Sequence, residues 1–340
     1  MISDPLNHLS AEEKLLLFLC RLDFSEGQKS EIRDLMKEVK DWDHFVRLVN
    51  NHGIIAISAF NIRETGLTEL VPEREMKLLE NGRHQSMIRN TWLVQRWKEI
   101  NKILSEAGIK HVLLKGMALE HTVYGARGLR QMTDNDILVK EEDALKTWVL
   151  LQEHEFQSEM IKSHLHRKII TGIGKHLPTL VKDGYSVEIH NRLFLEAERN
   201  EKLNNAIDNA VEIDVEGTKA FILKDDIHLD FLKEHLQYHL VSGGAQLRLY
   251  LDMELIKPGS APPIPNGFLT KPDQSFSLGQ RKKAYRANFF SIPNKIRFRY
   301  LVGDILPSLK WLKQRHGCGL IRAILLYPRR LGKVVWLLKA

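Results

Sequence analysis

Asp134 and Asp136 stand two residues apart at the head of an apolar run, and a further carboxylate, Glu188, lies on the later run Tyr185–His190. In an extended strand residues i and i+2 face the same side, about 6–7 Å apart along the chain. Both aspartates can therefore reach one small divalent cation, and Glu188 can add a third carboxylate from another strand. Carboxylate oxygens combined with substrate phosphates suit magnesium, which keeps water and prefers oxygen ligands; manganese is the alternative. One ion could hold a triphosphate while a second activates an attacking hydroxyl. The backbone of Gly116 and Met117, at a strand end and helix start, suits the approach of phosphate.

Spacing alone separates this pair poorly from chance. With 43 acidic residues in 340, about five acidic i, i+2 pairs follow from composition. Glu73/Glu75, Glu153/Glu155 and Glu196/Glu198 are such pairs and read as solvated helix faces. Asp134/Asp136 differ in context, with a glycine turn upstream and an apolar strand beneath them. Arg130 either clamps a phosphate bidentately or pairs with Asp134 or Asp136. His190 shares a strand face with Glu188 and either touches the site or packs as an ordinary hydrogen-bonded histidine. His228, His235 and His239 recur at helical spacing, but no HExxH arrangement accompanies them, so they read as a core or interface stripe.

These residues need elements to hold them. Residues 1–107 read as a helical region, with Ser10 and Glu13 at capping-box spacing and a long helix from about Glu73 to Ala107. Residues 108–215 read as a core containing strands at His111–Leu114 and Asn135–Val139, a helix from Met117 to Tyr124, and another over Glu141–Glu155. Strands at Leu177–Lys182 and Tyr185–His190 meet across Asp183-Gly184, a hairpin signal. Helices return over 216–256, a Pro/Gly linker covers 257–280, and basic helices fill 281–340.

Apolar residues make up 43% and charged residues 27%, a globular balance that excludes wholesale disorder. Two cysteines make neither a disulfide framework nor a four-cysteine zinc site. The start, MISDPLNHLSAEEK, lacks the pattern of a signal peptide, and no run of about 18 apolar residues suggests a membrane span. A cytoplasmic location is the expectation. The net charge of +7 hides an asymmetry: residues 257–340 carry +15, the rest −8.

The runs Leu113-Leu-Lys-Gly-Met-Ala-Leu119, Tyr124-Gly-Ala-Arg-Gly-Leu-Arg130 and Thr133-Asp-Asn-Asp-Ile-Leu-Val139 together resemble the uncharacterised bacterial nucleotidyltransferase family of the DNA polymerase β superfamily. Val187-Glu-Ile-His-Asn-Arg-Leu193 resembles its later strand, and the His235…His239 and Arg248…Asp252 segments are similar in kind. The resemblance implies an α+β fold, a mixed sheet with flanking helices, and metal-dependent nucleotidyl transfer. It places Lys115 near a nucleoside triphosphate. Asn135 stands where the family usually has an apolar residue; it is expected to point away from the metal face, on a less well-buried strand.

The expected activity is transfer of a nucleoside monophosphate from a triphosphate to an acceptor hydroxyl, with Asp134, Asp136 and Glu188 holding metal. Nucleotide contacts are expected from Lys115, Gly116, Met117 and Arg130. No motif selects the base or the acceptor, which could be nucleic acid, protein, peptide or small molecule. The alternatives are a silent nucleotide- or partner-binding module, and a nucleic-acid binder working through residues 281–340. Three readings of the basic part stay open: nucleic-acid contact through Arg281-Lys-Lys283 and Arg297-Phe-Arg299, internal pairing with the acidic body, and a membrane-surface helix after Tyr327.

Overall fold

The computed structural model describes residues 8–338 apart from 159, 167, 168, 170–173, 195, 243 and 271–277. Part of the linker expected over 257–280 thus lies outside the described residues. The chain opens with helices α1 (Ala11–Phe18), α2 (Glu26–Glu38), α3 (Trp42–Asn51), α4 (Ile55–Glu64) and the long α5 (Glu73–Glu106). The expected capping box starts α1. Ser10 Oγ accepts from the Glu13 N–H at 3.2 Å, and the Glu13 carboxylate accepts from the Ser10 N–H at 2.9 Å. Helix α4 carried no sequence signal of its own. Ile55, Ala56, Ile57, Ala59 and Ile62 are all buried, as are Ser58 and Asn61, and a helix buried on nearly every side shows little amphipathic period.

The central part contains β1 (His111–Leu113), α6 (Lys115–Thr122), β2 (Asn135–Val139), α7 (Glu141–Glu153), β3 (Gln157–Ser158), β4 (Leu180–Lys182) and β5 (Tyr185–His190). It continues through α8 (Ala197–Asn200), α9 (Leu203–Asp208), β6 (Val211–Val215) and β7 (Thr218–Ile222). These strands form one mixed sheet in the order β3-β4-β5-β2-β1-β7-β6. Strand β2 runs antiparallel to β1 and parallel to β5. The β4–β5 turn is the expected one: Asp183 at φ 51° and Gly184 at φ 79° both take the left-handed conformation of a type I′ hairpin.

The β6–β7 hairpin departs from expectation, which had only helices after residue 215. It turns at Glu216-Gly217 and carries the sheet to Ile222. Strand β6 is an edge strand with Val211, Glu212 and Asp214 exposed, so its in–out alternation is faint in the sequence.

Period-two alternation decides which side chains reach which layer. Leu113, Ile137, Val139, Val187 and Ile189 pack with Trp97 and Leu104 of α5 and Trp148 of α7. Val112, Leu114 and Leu138 pack on the opposite face with Leu203, Ile207 and Phe231. Asn135 falls on the first face. Its amide donates to the Leu93 carbonyl at 3.1 Å and the Tyr185 hydroxyl at 2.9 Å. It points away from the aspartate face as expected, but the strand is buried along its whole length. The expectation of a less buried strand is corrected: two hydrogen bonds let a polar residue sit in the core.

Helices α10 (Asp225–Ser242) and α11 (Leu247–Ile256) share one core with the N-terminal helices, joining Leu232, Leu236 and Met253 to Leu15, Phe45 and Leu79. Beyond lie α12 (Leu278–Ser291), α13 (Asn294–Ile305), α14 (Leu309–His316), α15 (Leu320–Ile324) and α16 (Leu326–Leu338). Asp304, 1% exposed, ties them to the body. It accepts from Lys162 and from the Tyr285 hydroxyl, while His166 Nε2 lies 3.3 Å away.

Candidate active site

The strand-to-helix turn after β1 is the first structural element of the site. The Leu114 N–H donates to the Asp136 carbonyl at 3.0 Å, continuing the sheet. Lys115 then takes φ 44°, a left-handed conformation that costs a side-chain-bearing residue roughly 1–2 kcal/mol. Its backbone N–H donates to His228 Nε2 at 3.3 Å. Gly116 is required by close approach: a Cβ there would lie 2.5 Å from Arg130 Nη1 and 2.9 Å from Met132.

Across this turn, β2 and β5 bring the acids together. Asp136 pairs in register with Glu188, and Leu138 with His190. Asp136, Glu188 and His190 consequently share one face, their ligand-capable atoms lying within 4.8 Å of one another. Asp136 Oδ1 accepts from Lys115 Nζ at 2.6 Å and from His190 Nε2 at 2.9 Å. Lys115 Nζ also lies 4.0 Å from Glu188, and His190 Nε2 lies 3.5 Å from it. Asp134, in the bend before β2, stays outside the three-residue cluster but lines the same cavity.

Burial alone would raise the Asp136 pKa, but the Lys115 ammonium and the His190 hydrogen bond outweigh it and hold the carboxyl well below the usual range. Glu188 follows the same logic and is lowered, against burial, chiefly by its contact with His190. Asp134 goes the other way. Burial first, then the Asp136 charge, pushes it up to about 6. Two neighbouring aspartates therefore differ in how readily they ionise.

The cavity has a volume of about 720 Å³ and is lined by Lys115, Gly116, Arg130, Asp134, Asp136, Glu188 and His190. Met117 is not among its lining residues; its side chain packs in the core beneath. Arg130 corrects one expectation. Its resting partner is neither Asp134 nor Asp136 but Asp252 of α11, reached through Nε at 2.9 Å and Nη2 at 2.7 Å. Asp252 also accepts from the Tyr124 hydroxyl at 2.9 Å.

Other cavity residues were noted in the sequence without being assigned to the site. His235 and His239 of α10 line it, their rings 4.4 Å apart, rather than serving only as core, whereas His228 is buried. Burial and the Lys115 charge hold His235 well below the usual imidazole range, and His239 is lowered to about 4. Arg248 also faces the cavity. Its Nη2 donates to Gln246 at 2.8 Å, while its Nε, buried, has no hydrogen-bond partner among the described residues. Burial, with Arg130 nearby, lowers Arg248 to about 10. In the sequence Arg248 is marked only by the resemblance of the Arg248…Asp252 segment, which carried no role for it.

The donor set fits a divalent cation: two carboxylates held in their charged form, one imidazole, and one shared face open to a cavity. A seven-stranded mixed sheet with flanking helices, bearing acids beside a strand–glycine–helix turn, fits the nucleotidyltransferase fold. The model of a family described as uncharacterised nucleotidyltransferase matches residues 38–263. The chain belongs to that family. All the site residues from Lys115 to Asp252 lie inside the matched segment, and the basic helices α12–α16 lie outside it. Comparison with curated proteins and with solved structures finds no match.

Proposed function

We propose that this protein transfers a nucleoside monophosphate from a nucleoside triphosphate to an acceptor hydroxyl, as a member of the DNA polymerase β superfamily. The observation that carries the reading is the in-register pairing of Asp136 with Glu188 beneath Lys115. In this reading Asp134 and Asp136 would hold magnesium or manganese, with Glu188 either supporting a second ion or serving as the base, and the metal would supply charge compensation to the triphosphate.

The chain's own residues do the rest. Lys115, presented by a turn whose glycine leaves the backbone open, moves its ammonium from Asp136 towards the triphosphate. Arg130, braced by Asp252, and Arg248 add positive charge on the same wall. As the base, Glu188 takes the proton of the acceptor hydroxyl while the acceptor oxygen bonds the α-phosphorus. The bond from the α-phosphorus to the bridging oxygen breaks, and pyrophosphate leaves. Catalysis is positioning and electrostatics, with no covalent intermediate on the protein.

The test is incubation with each labelled triphosphate, a divalent metal and cell extract, following pyrophosphate and the macromolecule that gains label. Metal-dependent transfer that Asp136→Asn abolishes supports the reading. Nucleotide binding without pyrophosphate release would instead make the protein a nucleotide-holding module.

A further inference from the structure

The helices α15 and α16 present a surface that the transfer reaction does not use. They are separated by Leu325 alone, and the buried residues Ala323, Val334 and Leu337 fix them to the neighbouring helices. The side chains turned outward are aliphatic. Ile321 is 77% exposed and Leu325 65%, and they stand one helical turn apart; Leu320 and Ile324 repeat that spacing beside them. Leu331 and Val335 continue the exposed apolar surface along α16, with Trp336 next to it.

Scattered single hydrophobes on a surface are ordinary, but a run of this length is not. Its charge is one-sided. No acidic residue occurs from 305 to 340, and the one carboxylate just before, Asp304, is buried. Arg322, Arg329 and Lys333 are exposed and make no ion pair among the described residues. Internal pairing with the acidic body, one of the three readings open from the sequence, is therefore not formed by these three cations among the described residues.

We infer that α15 and α16 form a docking surface for a membrane bearing anionic lipids. The argument is complementarity of two kinds at once. Aliphatic side chains and a tryptophan enter the boundary between headgroups and acyl chains, while arginine and lysine meet the negative headgroups. A nucleic acid would satisfy the cations, but Ile321, Leu325 and Leu331 have no flat ring on which a base stacks. The contact is interfacial. No helix among the described residues is long and apolar enough to cross a membrane.

The full chain should co-sediment with vesicles of phosphatidylcholine containing about one third phosphatidylglycerol, and not with phosphatidylcholine alone. Two variants separate the contributions: Ile321→Glu with Leu325→Glu, and Arg322→Gln with Arg329→Gln and Lys333→Gln. All five positions are exposed, so circular dichroism should match the parent. Each variant should lose at least about tenfold in vesicle affinity. Binding that ignores lipid charge, or survives both variants, overturns the inference. So does a light-scattering dimer abolished by the aliphatic variant, which makes the patch a self-interface. Binding to single-stranded RNA that falls with the cation variant but not the aliphatic one, without vesicle binding, makes it a nucleic-acid surface.

Discussion

Lys115 Nζ lies 2.6 Å from Asp136 Oδ1, on a side chain only 5% exposed, with Glu188 4.0 Å away. The ammonium thus stands among the carboxylates that a divalent ion would bind. On the proposed reading, loading the site would require Lys115 to give up this contact, and a triphosphate would offer it a new one. Nucleotide and metal binding would then be coupled through one side chain.

The Lys115–Asp136 pairing itself is measurable in stability. Breaking a buried ion pair by removing one partner costs about 3–5 kcal/mol, while removing both costs less. Lys115→Met and Asp136→Asn should each destabilise the metal-free protein, and the double variant should lose less than the sum. Urea unfolding of the four proteins gives the coupling directly, and additivity within about 0.5 kcal/mol would show that the pair is not energetically linked. Transfer by Asp136→Asn should fall at least about 100-fold, the scale of a lost electrostatic stabiliser.

Asp134 opposes stability at neutral pH. Its folded pKa is raised to about 6 from the ordinary aspartate value of 3.8. The folded state thus holds its proton more tightly than the unfolded state. The resulting stability is complete below the unfolded pKa and is lost as pH rises through 6. Asp134→Asn should therefore raise stability at pH 7 by about 1–3 kcal/mol, with little change near pH 3, while lowering transfer. Thermal melts at the two pH values check this, and an equal shift at both would contradict it.

Asp136 behaves in the opposite way. Its depressed pKa makes its contribution present above the unfolded value, about 3.9, and lost only as pH falls through the folded value. Acid unfolding of the parent should therefore steepen below about pH 4. Asp136→Asn should flatten that limb in a urea series at fixed temperature.

Asp252, fully buried, ties the segment between α6 and β2 to α11 through Arg130 and Tyr124. Asp252→Ala leaves a buried guanidinium without its carboxylate and should cost about 3–5 kcal/mol. Tyr124→Phe removes one hydrogen bond to a charged group, about 1.5–3 kcal/mol. Chemical denaturation ranks the two, and an equal or reversed order would show that Arg130 finds another partner.

Gly116→Ala should reduce stability by about 1–3 kcal/mol through overpacking, because its Cβ meets Arg130 and Met132. The readout that distinguishes the site is nucleotide affinity, which should fall with the displacement of Arg130. Unchanged affinity would remove this turn from the nucleotide site.

The chain-local features were written in the sequence. Asn135–Val139 and Tyr185–His190 stand where alternation and flanking turns put them, and Asp183-Gly184 forms its hairpin because only those two residues must adopt positive φ. Period two also placed Asp136 on one face and Asn135 on the other before any neighbour was known. Residues far apart in the chain were a different matter. Arg130 finds Asp252, 122 residues away, and His235 faces the cavity instead of the core. Which strand lies beside β2, and which helix closes over its acids, depends on how separate layers pack. Local periodicity reports a side chain's face; only the tertiary fold supplies the partner that the face meets.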